Sequence, residues 1–276
     1  MRILKFILTI IIFVLLTILT QVGGIVYLLS FLLFKSVNRK FNNKLVRGSL
    51  KFISFLALYS IATFLVVPVL TKLAGRVPLP ILQTDNLKPL NFLTCFLNRH
   101  YVRLELKQAT VEVAQQMTDK FPGTVINYLD ANFPFIDNFP LVPHLSHSDG
   151  KKLDIAFCYI DNKTQEETNK VPSAIGYGIS EEPRPNEENM PAGCAEKGYW
   201  QYSLMTKIIS QKNKEKFTFD SVRTKELVTQ FASKPVIGKI FIEPHLKTRL
   251  KLNSKKIRFH GCQAVRHDDH IHVQLK

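Results

Sequence analysis

The chain ends in RHDDHIHVQLK, residues 266–276, and this stretch predicts a closing β-strand that carries two histidines on one face. Successive side chains of a strand point to opposite faces, so His270 and His272 share a face while Ile271 points away from them. Two imidazoles that converge in this way suit one metal ligand with a catalytic partner beside it. The pattern therefore requires further ligands from elsewhere in the chain.

A second histidine cluster, HLSHSDGKKLD at residues 144–154, can supply those ligands. His147 and Asp154 are separated by six residues, and a turn at the intervening Asp-Gly pair would bring the histidine back beside an aspartate at the start of a strand. His147, Asp154 and His272 are then three expected ligands of a zinc ion, with a fourth position left to water. Three ligands from His and carboxylate are typical of catalytic rather than structural zinc.

The other histidines of the two clusters are candidates for proton transfer and for shaping the site. His270 is placed to take a proton from water and to pass it to a leaving amine. His267 and His144 can donate hydrogen bonds to an oxyanion or orient their neighbours, and Asp268 and Asp269 can accept from an imidazole N–H. Five of the eight histidines fall in the two clusters, which chance placement explains poorly.

The two motifs resemble those of the metallopeptidases grouped with lysostaphin, D-Ala-D-Ala carboxypeptidases and the hedgehog signalling domain, which share a His-x6-Asp and a His-x-His motif. The chain looks most similar to the penicillin-insensitive murein endopeptidases. They pair HxxHxxxxxxD with a terminal HDxHxH, and this chain has HLSHSDGKKLD and HDDHIH in the same order. The resemblance covers roughly residues 100–276, although only the two motif segments match closely. It implies a small antiparallel sheet flanked by helices, zinc held by His147, Asp154 and His272, His270 as the catalytic base, and His144 and His267 as further active-site histidines.

By the same resemblance the protein is expected to be a zinc peptidase that cleaves peptide cross-links or stem peptides of peptidoglycan. A carboxypeptidase acting on D-Ala-D-Ala termini is the nearest enzymatic alternative. A non-catalytic cell-envelope protein that binds cell-wall peptides or a membrane partner is an alternative of another class, because fold alone does not settle function. His270 and His267 count against this last alternative, since a binding module has no evident need for a base beside a metal.

Residues 1–76 are expected to form a transmembrane hairpin anchor. They contain two uncharged apolar stretches, 6–34 and 52–71, and a bilayer is crossed by about 20 apolar residues. The loop at 35–51 between them is basic and is expected in the cytoplasm by the positive-inside tendency. Its basic residues are Lys35, Arg39, Lys40, Lys44, Arg47 and Lys51.

This hairpin topology would place the amino terminus and the domain after residue 76 outside the cytoplasmic membrane, in the periplasm or its equivalent. Two alternatives stay open: a cleaved signal peptide at the start, or a single span with the domain in the cytoplasm. The first 76 residues hold ten Lys or Arg and no Asp or Glu, so the remainder has 27 basic against 22 acidic residues. Most of the net charge of +15 is therefore a topology signal, and no nucleic-acid partner is expected.

The remaining sequence predicts an α+β domain at 91–276, after a Pro-rich linker at 77–90. Its small sheet is expected to be mainly antiparallel, and residues 161–200 read as a long irregular insertion over one face. Helices are predicted at 104–121, 221–232 and 244–250, and strands at 124–129, 153–160, 237–242 and 271–275.

Four cysteines, an even number, can oxidise in an outward-facing domain. Three pairings are possible and the sequence does not choose among them. The favoured interpretation for all four is small buried residues, or one structural disulfide. No CxxC spacing points to zinc binding by cysteine. His260 is compatible both with a place near the site and with a buried structural role.

Overall fold

The structure is a computed structural model that describes residues 2–84 and 86–276. Three consecutive helices form its amino-terminal part: α1 (Arg2–Thr20), α2 (Gly23–Lys40) and α3 (Lys44–Ile61). Helical structure continues beyond α3 through a π-helical turn, a turn of α-helix and a 3₁₀ turn as far as Ala74. Pro68 lies just after the π-helical turn and lacks the N–H that regular helix bonding requires.

The apolar stretch 6–34, expected as one span, is instead folded into α1 and α2. The chain reverses at Gln21, whose φ of 66° is left-handed. Gly24 lies so close to α1 that an added Cβ would come within 2.0 Å of the Thr17 hydroxyl oxygen. Glycine therefore allows α2 to pack back along α1 at this corner.

Consecutive helices of this bundle run antiparallel, so α1 and α3 point in the same direction. Tyr27 of α2 contacts Phe55 of α3 with ring centroids 6.0 Å apart, and further along Lys51 Nζ lies 5.8 Å from the Phe34 ring centre. The start of α1, the end of α2 and the start of α3 consequently lie at one end of the bundle. The expected two-helix hairpin is a three-helix arrangement, in which the helical segments Arg2–Thr20 and Lys44–Ala74 are long and apolar enough to cross a membrane.

The rest of the chain is α+β, as predicted. A six-stranded sheet has the order β10-β9-β11-β5-β4-β2, and its two outer pairs, β2–β4 and β9–β10, are parallel. The sheet is therefore mixed: its three central pairings are antiparallel, and with six strands it is larger than the small sheet that was expected. Its strands are β2 (Leu87–Pro89), β4 (Ile126–Tyr128), β5 (Lys152–Ala156), β9 (Ile237–Phe241), β10 (Ile257–Arg258) and β11 (His270–Leu275).

Residues 77–90 do not form the expected linker. Val77–Pro78 (β1) pairs with Tyr101–Val102 (β3), and β2 is an edge strand of the main sheet. Leu79 and Leu87 are buried in the core. Proline does not prevent this, because edge strands tolerate a missing N–H.

Helices pack against the main sheet, and a separate smaller sheet follows β5 along the chain. Predicted helices are found at α5 (Leu104–Lys120), α8 (Ser221–Ser233) and α9 (Pro244–Arg249), and shorter ones at α4 (Phe92–Phe96), α6 (Met190–Glu196) and α7 (Leu204–Ile208). The segment 161–200 is less irregular than expected, since its first residues join a three-stranded sheet of order β7-β6-β8. Those strands are β6 (Tyr159–Asp161), β7 (Glu166–Thr168) and β8 (Phe217–Phe219).

Candidate metal centre

Two adjacent central strands bring the two sequence motifs together. In the antiparallel pairing of β11 with β5, His272 lies directly opposite Asp154 and His270 lies opposite Ala156. Directly opposite residues have Cβ atoms about 4.5–5.5 Å apart on the same face. The His-x-His spacing therefore places one imidazole against the Asp154 carboxylate and the second imidazole along the same face.

A loop from the other motif carries His147 onto this face. Its Nδ1 lies 2.7 Å from the Ala131 carbonyl oxygen, which can only accept, so Nδ1 carries the proton. In the neutral ring Nε2 then presents a lone pair to the site. Burial lowers the pKa of His147, but the Asp154 and Asp130 carboxylates outweigh it and raise that pKa, so a metal ion would compete with a proton for Nε2. Fixing the second ring nitrogen by a backbone carbonyl is the usual way in which a protein orients a metal-ligating histidine.

Three ligand atoms then form a nearly equilateral triangle. His147 Nε2 lies 3.2 Å from His272 Nδ1 and 3.3 Å from Asp154 Oδ1, and the last two atoms are 2.9 Å apart. Zinc lies about 2.0–2.2 Å from such atoms in tetrahedral sites, so neighbouring ligands are then about 3.3 Å apart. The triangle is thus close to the size of one face of a zinc coordination tetrahedron.

The negative charge of the buried Asp154 carboxylate also favours a cation at this position. Asp154 is 1% exposed, and within the described part of the chain its ion pairs are all with histidines. Burial acts to raise the pKa of the Asp154 carboxyl, but His147 and His270 outweigh it and hold that pKa well below its usual value. A buried carboxylate without Lys or Arg is costly unless a proton or a metal ion lies among its neighbours.

His144 offers an alternative ligand. Donor atoms of His144, His147 and Asp154 all lie within 4.8 Å of one another, so this buried group could also hold a metal ion. His144 Nδ1 faces the other carboxylate oxygen, Asp154 Oδ2, at 3.4 Å, and Asp130 Oδ2 at 3.3 Å. This position is equally suited to a hydrogen-bond donor that orients the two carboxylates.

His270 lies beside the triangle rather than in it. Its Nδ1 is hydrogen-bonded to the neighbouring Asp269 carboxylate, and its Nε2 lies 3.7 Å from Asp154 Oδ2. Burial lowers the pKa of His270, yet the Asp154 and Asp269 carboxylates raise it further, to about 9. In contrast, burial lowers the pKa of His272 to about 4, which leaves that ring neutral.

His267 completes the histidine cluster. Its ring centroid lies 5.0 Å from that of His270 and 5.6 Å from that of His272. Burial, reinforced by the neighbouring imidazoles, holds its pKa well below the usual value, so the ring is neutral. Glu243 fixes this residue by accepting the His267 backbone N–H at 3.1 Å.

All six residues singled out from the sequence line one cavity of about 340 Å³. They are His144, His147, Asp154, His267, His270 and His272. Their division into ligands and proton-transfer groups stays a prediction.

Three neighbours of the site were not assigned to it from the sequence. The Tyr177 hydroxyl donates to Asp154 Oδ2 at 2.9 Å and accepts the Asp130 backbone N–H at 3.1 Å. Tyr177 and Asp130 do not belong to either histidine motif, although Tyr177 lies in the long insertion that was expected to cover one face. The third neighbour is His260, which lines the cavity with its ring stacked near His272, the centroids lying 6.2 Å apart.

A disulfide fastens the cavity wall that contains His260. Cys194 and Cys262 are paired, whereas Cys95 and Cys158 are free and buried. The bond ties the segment 260–265, which contributes several cavity residues, to α6. The four cysteines thus form one structural disulfide and two small buried side chains, and none of them takes part in the metal centre.

No protein-family model matches the chain, and no curated protein is significantly similar to it.

Proposed function

We propose that this protein is a membrane-anchored zinc metallopeptidase that hydrolyses peptide bonds of peptidoglycan. The triangle of His147 Nε2, Asp154 Oδ1 and His272 Nδ1, with His270 beside it in a cavity, is the observation that carries the proposal. The peptidoglycan substrate rests on the resemblance of the two motifs to murein endopeptidases.

The donor set fits zinc, because it consists of two imidazoles and one carboxylate of suitable spacing. Zinc in such a site acts as a Lewis acid that polarises a carbonyl oxygen and lowers the pKa of water. His147 is oriented for this task by the Ala131 carbonyl, and Asp154 by the Tyr177 hydroxyl. Such supporting contacts typically change metal affinity or activity about 10–100-fold.

His270 is the residue best placed to move a proton. Asp269 holds its Nδ1, which leaves Nε2 directed towards Asp154 in the cavity wall. With its pKa raised to about 9 by the Asp154 and Asp269 carboxylates, the ring is protonated at neutral pH in the metal-free protein. A cation held at Asp154 would offset that carboxylate charge and favour the neutral ring, whose Nε2 can accept a proton from water and return it to the amine that leaves. Neutral His267 carries one N–H that can stabilise the negative charge that develops on the peptide oxygen.

The anchor supports a location of the domain outside the cytoplasm. The start of α1, the end of α2 and the start of α3 carry the basic residues at the bundle end away from the domain. By the positive-inside tendency that end is cytoplasmic. The amino terminus, which the hairpin interpretation placed outside, then lies in the cytoplasm together with the basic loop.

Mass spectrometry of muropeptides digested with the full-length protein in detergent tests the function. We expect new fragments from cross-linked muropeptides in the presence of zinc, and a loss of at least about 100-fold in rate in His270→Ala with zinc still bound. Release of terminal D-Ala alone would identify a carboxypeptidase. No new fragments with zinc bound would refute hydrolysis and favour a peptide-binding protein.

A further inference from the structure

The domain exposes three large apolar side chains at the place where it meets the helix bundle. Phe92 and Leu93 of α4 are 55% and 54% exposed, and Ile136 is 56% exposed. We call these three residues the apolar rim. Isolated apolar residues are common on surfaces, so the position of this rim relative to the bundle decides its meaning.

The rim adjoins the corner between α1 and α2. The ring of Phe92 is stacked on Phe64 of the α3 continuation, with centroids 5.4 Å apart. The backbone N–H of Ile136 donates to Gln21 Oε1 at the corner, at 3.3 Å. Both parts of the rim are therefore fixed to the bundle rather than being free loops.

Helix lengths show how deep this corner would lie in a bilayer. From Lys51, the last basic residue of the loop, to Ala74 the helical segment rises about 35 Å, enough for a hydrocarbon core of about 30 Å. From Lys5 to Thr20, α1 rises only about 23 Å. When both lysines lie at the cytoplasmic boundary, the α1–α2 corner ends several ångströms short of the outer boundary.

A polar contact fixes the two helices at this relative height. The side-chain amide of Asn98 donates to the Thr20 carbonyl oxygen and to the Thr63 hydroxyl, both at 3.4 Å. Residues 64–74 therefore continue past the corner, and their exposed side chains are apolar except for Lys72 near the end of the segment: Leu65, Val66, Val69, Leu70 and Leu73 are exposed. Lipid around this stripe would also surround the neighbouring rim.

We propose that the apolar rim is a lipid-binding surface that lies in the outer leaflet of the membrane. A second cavity of about 130 Å³, lined by Leu93 and Leu97, shares Pro143 and His144 with the cavity of the metal centre. The candidate site thus opens towards the membrane side of the domain, within reach of peptide chains held near the bilayer. This inference rests on the membrane anchoring of the proposed function and does not depend on hydrolysis.

Depth-dependent quenching of tryptophan fluorescence tests this surface. The single native tryptophan is removed by Trp200→Phe, and Leu93→Trp is then introduced into the full-length chain. The matched control is Val222→Trp. Val222 is 66% exposed and lies beside Lys120, which is at the end of α5 that is far from the anchor. The proteins are reconstituted in phosphatidylcholine vesicles with and without brominated acyl chains.

Apolar surfaces of interfacial proteins lie about 5–10 Å within the headgroup and acyl boundary. We therefore expect brominated lipid to lower the Leu93→Trp emission about twofold and to leave the Val222→Trp emission nearly unchanged. Equal responses at the two positions would overturn the proposal. Ile136→Trp repeats the test at the other part of the rim if Leu93→Trp fails to fold. The readout needs neither zinc nor substrate, so its failure is distinct from a failure of the peptidase assignment.

Discussion

Two ligand sets are possible for the metal ion, and removing one imidazole at a time distinguishes them. Both sets share His147 and Asp154, and they differ in whether His272 or His144 is the third ligand. In the first set the ion would be held by His147 Nε2, Asp154 Oδ1 and His272 Nδ1, which lie 2.9–3.3 Å from one another. His144 instead contacts the other oxygen of Asp154, at 3.4 Å.

We expect His272→Ala to weaken zinc binding more than about 100-fold, because the loss of a ligand exceeds the usual effect of an outer residue. His144→Ala is expected to weaken zinc binding only about 10-fold, as a residue that orients Asp154 would. Zinc affinity is measured on the full-length protein in detergent by competition with a chromogenic chelator.

His260→Ala is the matched control, because it removes a cavity imidazole that belongs to neither ligand set. Its zinc affinity is expected to match that of the unmodified protein, and circular dichroism checks that each variant is folded. A larger loss in His144→Ala than in His272→Ala would refute the reasoning and assign the ion to His144, His147 and Asp154.

Three further predictions concern stability. Burial lowers the pKa of His100 to about 3. Below the unfolded value of 6.5 the unfolded chain therefore binds more protons than the folded chain, and acid destabilises the fold. Between pH 7 and pH 5 the free energy of unfolding should fall by about 2 kcal/mol less in His100→Phe and in His100→Gln than in the unmodified protein, as measured by unfolding at each pH. Replacing Cys194 and Cys262 by Ser should lower the unfolding free energy by about 4 kcal/mol, because the disulfide closes a loop of 68 residues; an unchanged denaturation midpoint would contradict this. Gln21→Met should lower the free energy of unfolding by about 1 kcal/mol for each of the two partly buried N–H groups left without an acceptor, whereas Gln21→Glu should retain most of the stability. Equal melting temperatures for the two variants would count against the contact.

The terminal strand and its partner could be predicted because strand geometry is strictly alternating. The spacing of His270 and His272 places both on one face, and the register with β5 then sets His272 against Asp154. The loop that returns His147 to this face was likewise indicated by its Asp-Gly turn. Residues with no motif of their own, such as Tyr177, could not be found, because their role depends on a contact between segments distant in sequence.

The anchor was predicted less well because hydropathy reports burial in lipid and not the direction of the chain. The segment 6–34 is uncharged throughout, yet Gln21 and the glycines that follow it allow a reversal that a count of apolar residues does not register. The Pro-rich segment 77–90 resembled a linker for a similar reason. Its strand β2 pairs with Ile126–Tyr128, a partner that no local pattern reveals.

The anchor and the candidate site form one structural unit. Gln21, at the α1–α2 corner, accepts backbone N–H groups at the beginning of the segment that leads to His144 and His147. Arg76, fully buried just after the anchor, donates to the Phe133 carbonyl oxygen and, at 3.2 Å, to the Ser148 carbonyl oxygen. The loop that carries two site histidines is thus fastened at both ends by residues that a soluble fragment starting near residue 90 would lack. Zinc binding and hydrolysis consequently have to be measured on the full chain, because loss of either activity in such a fragment would report the missing supports and not the chemistry of the site.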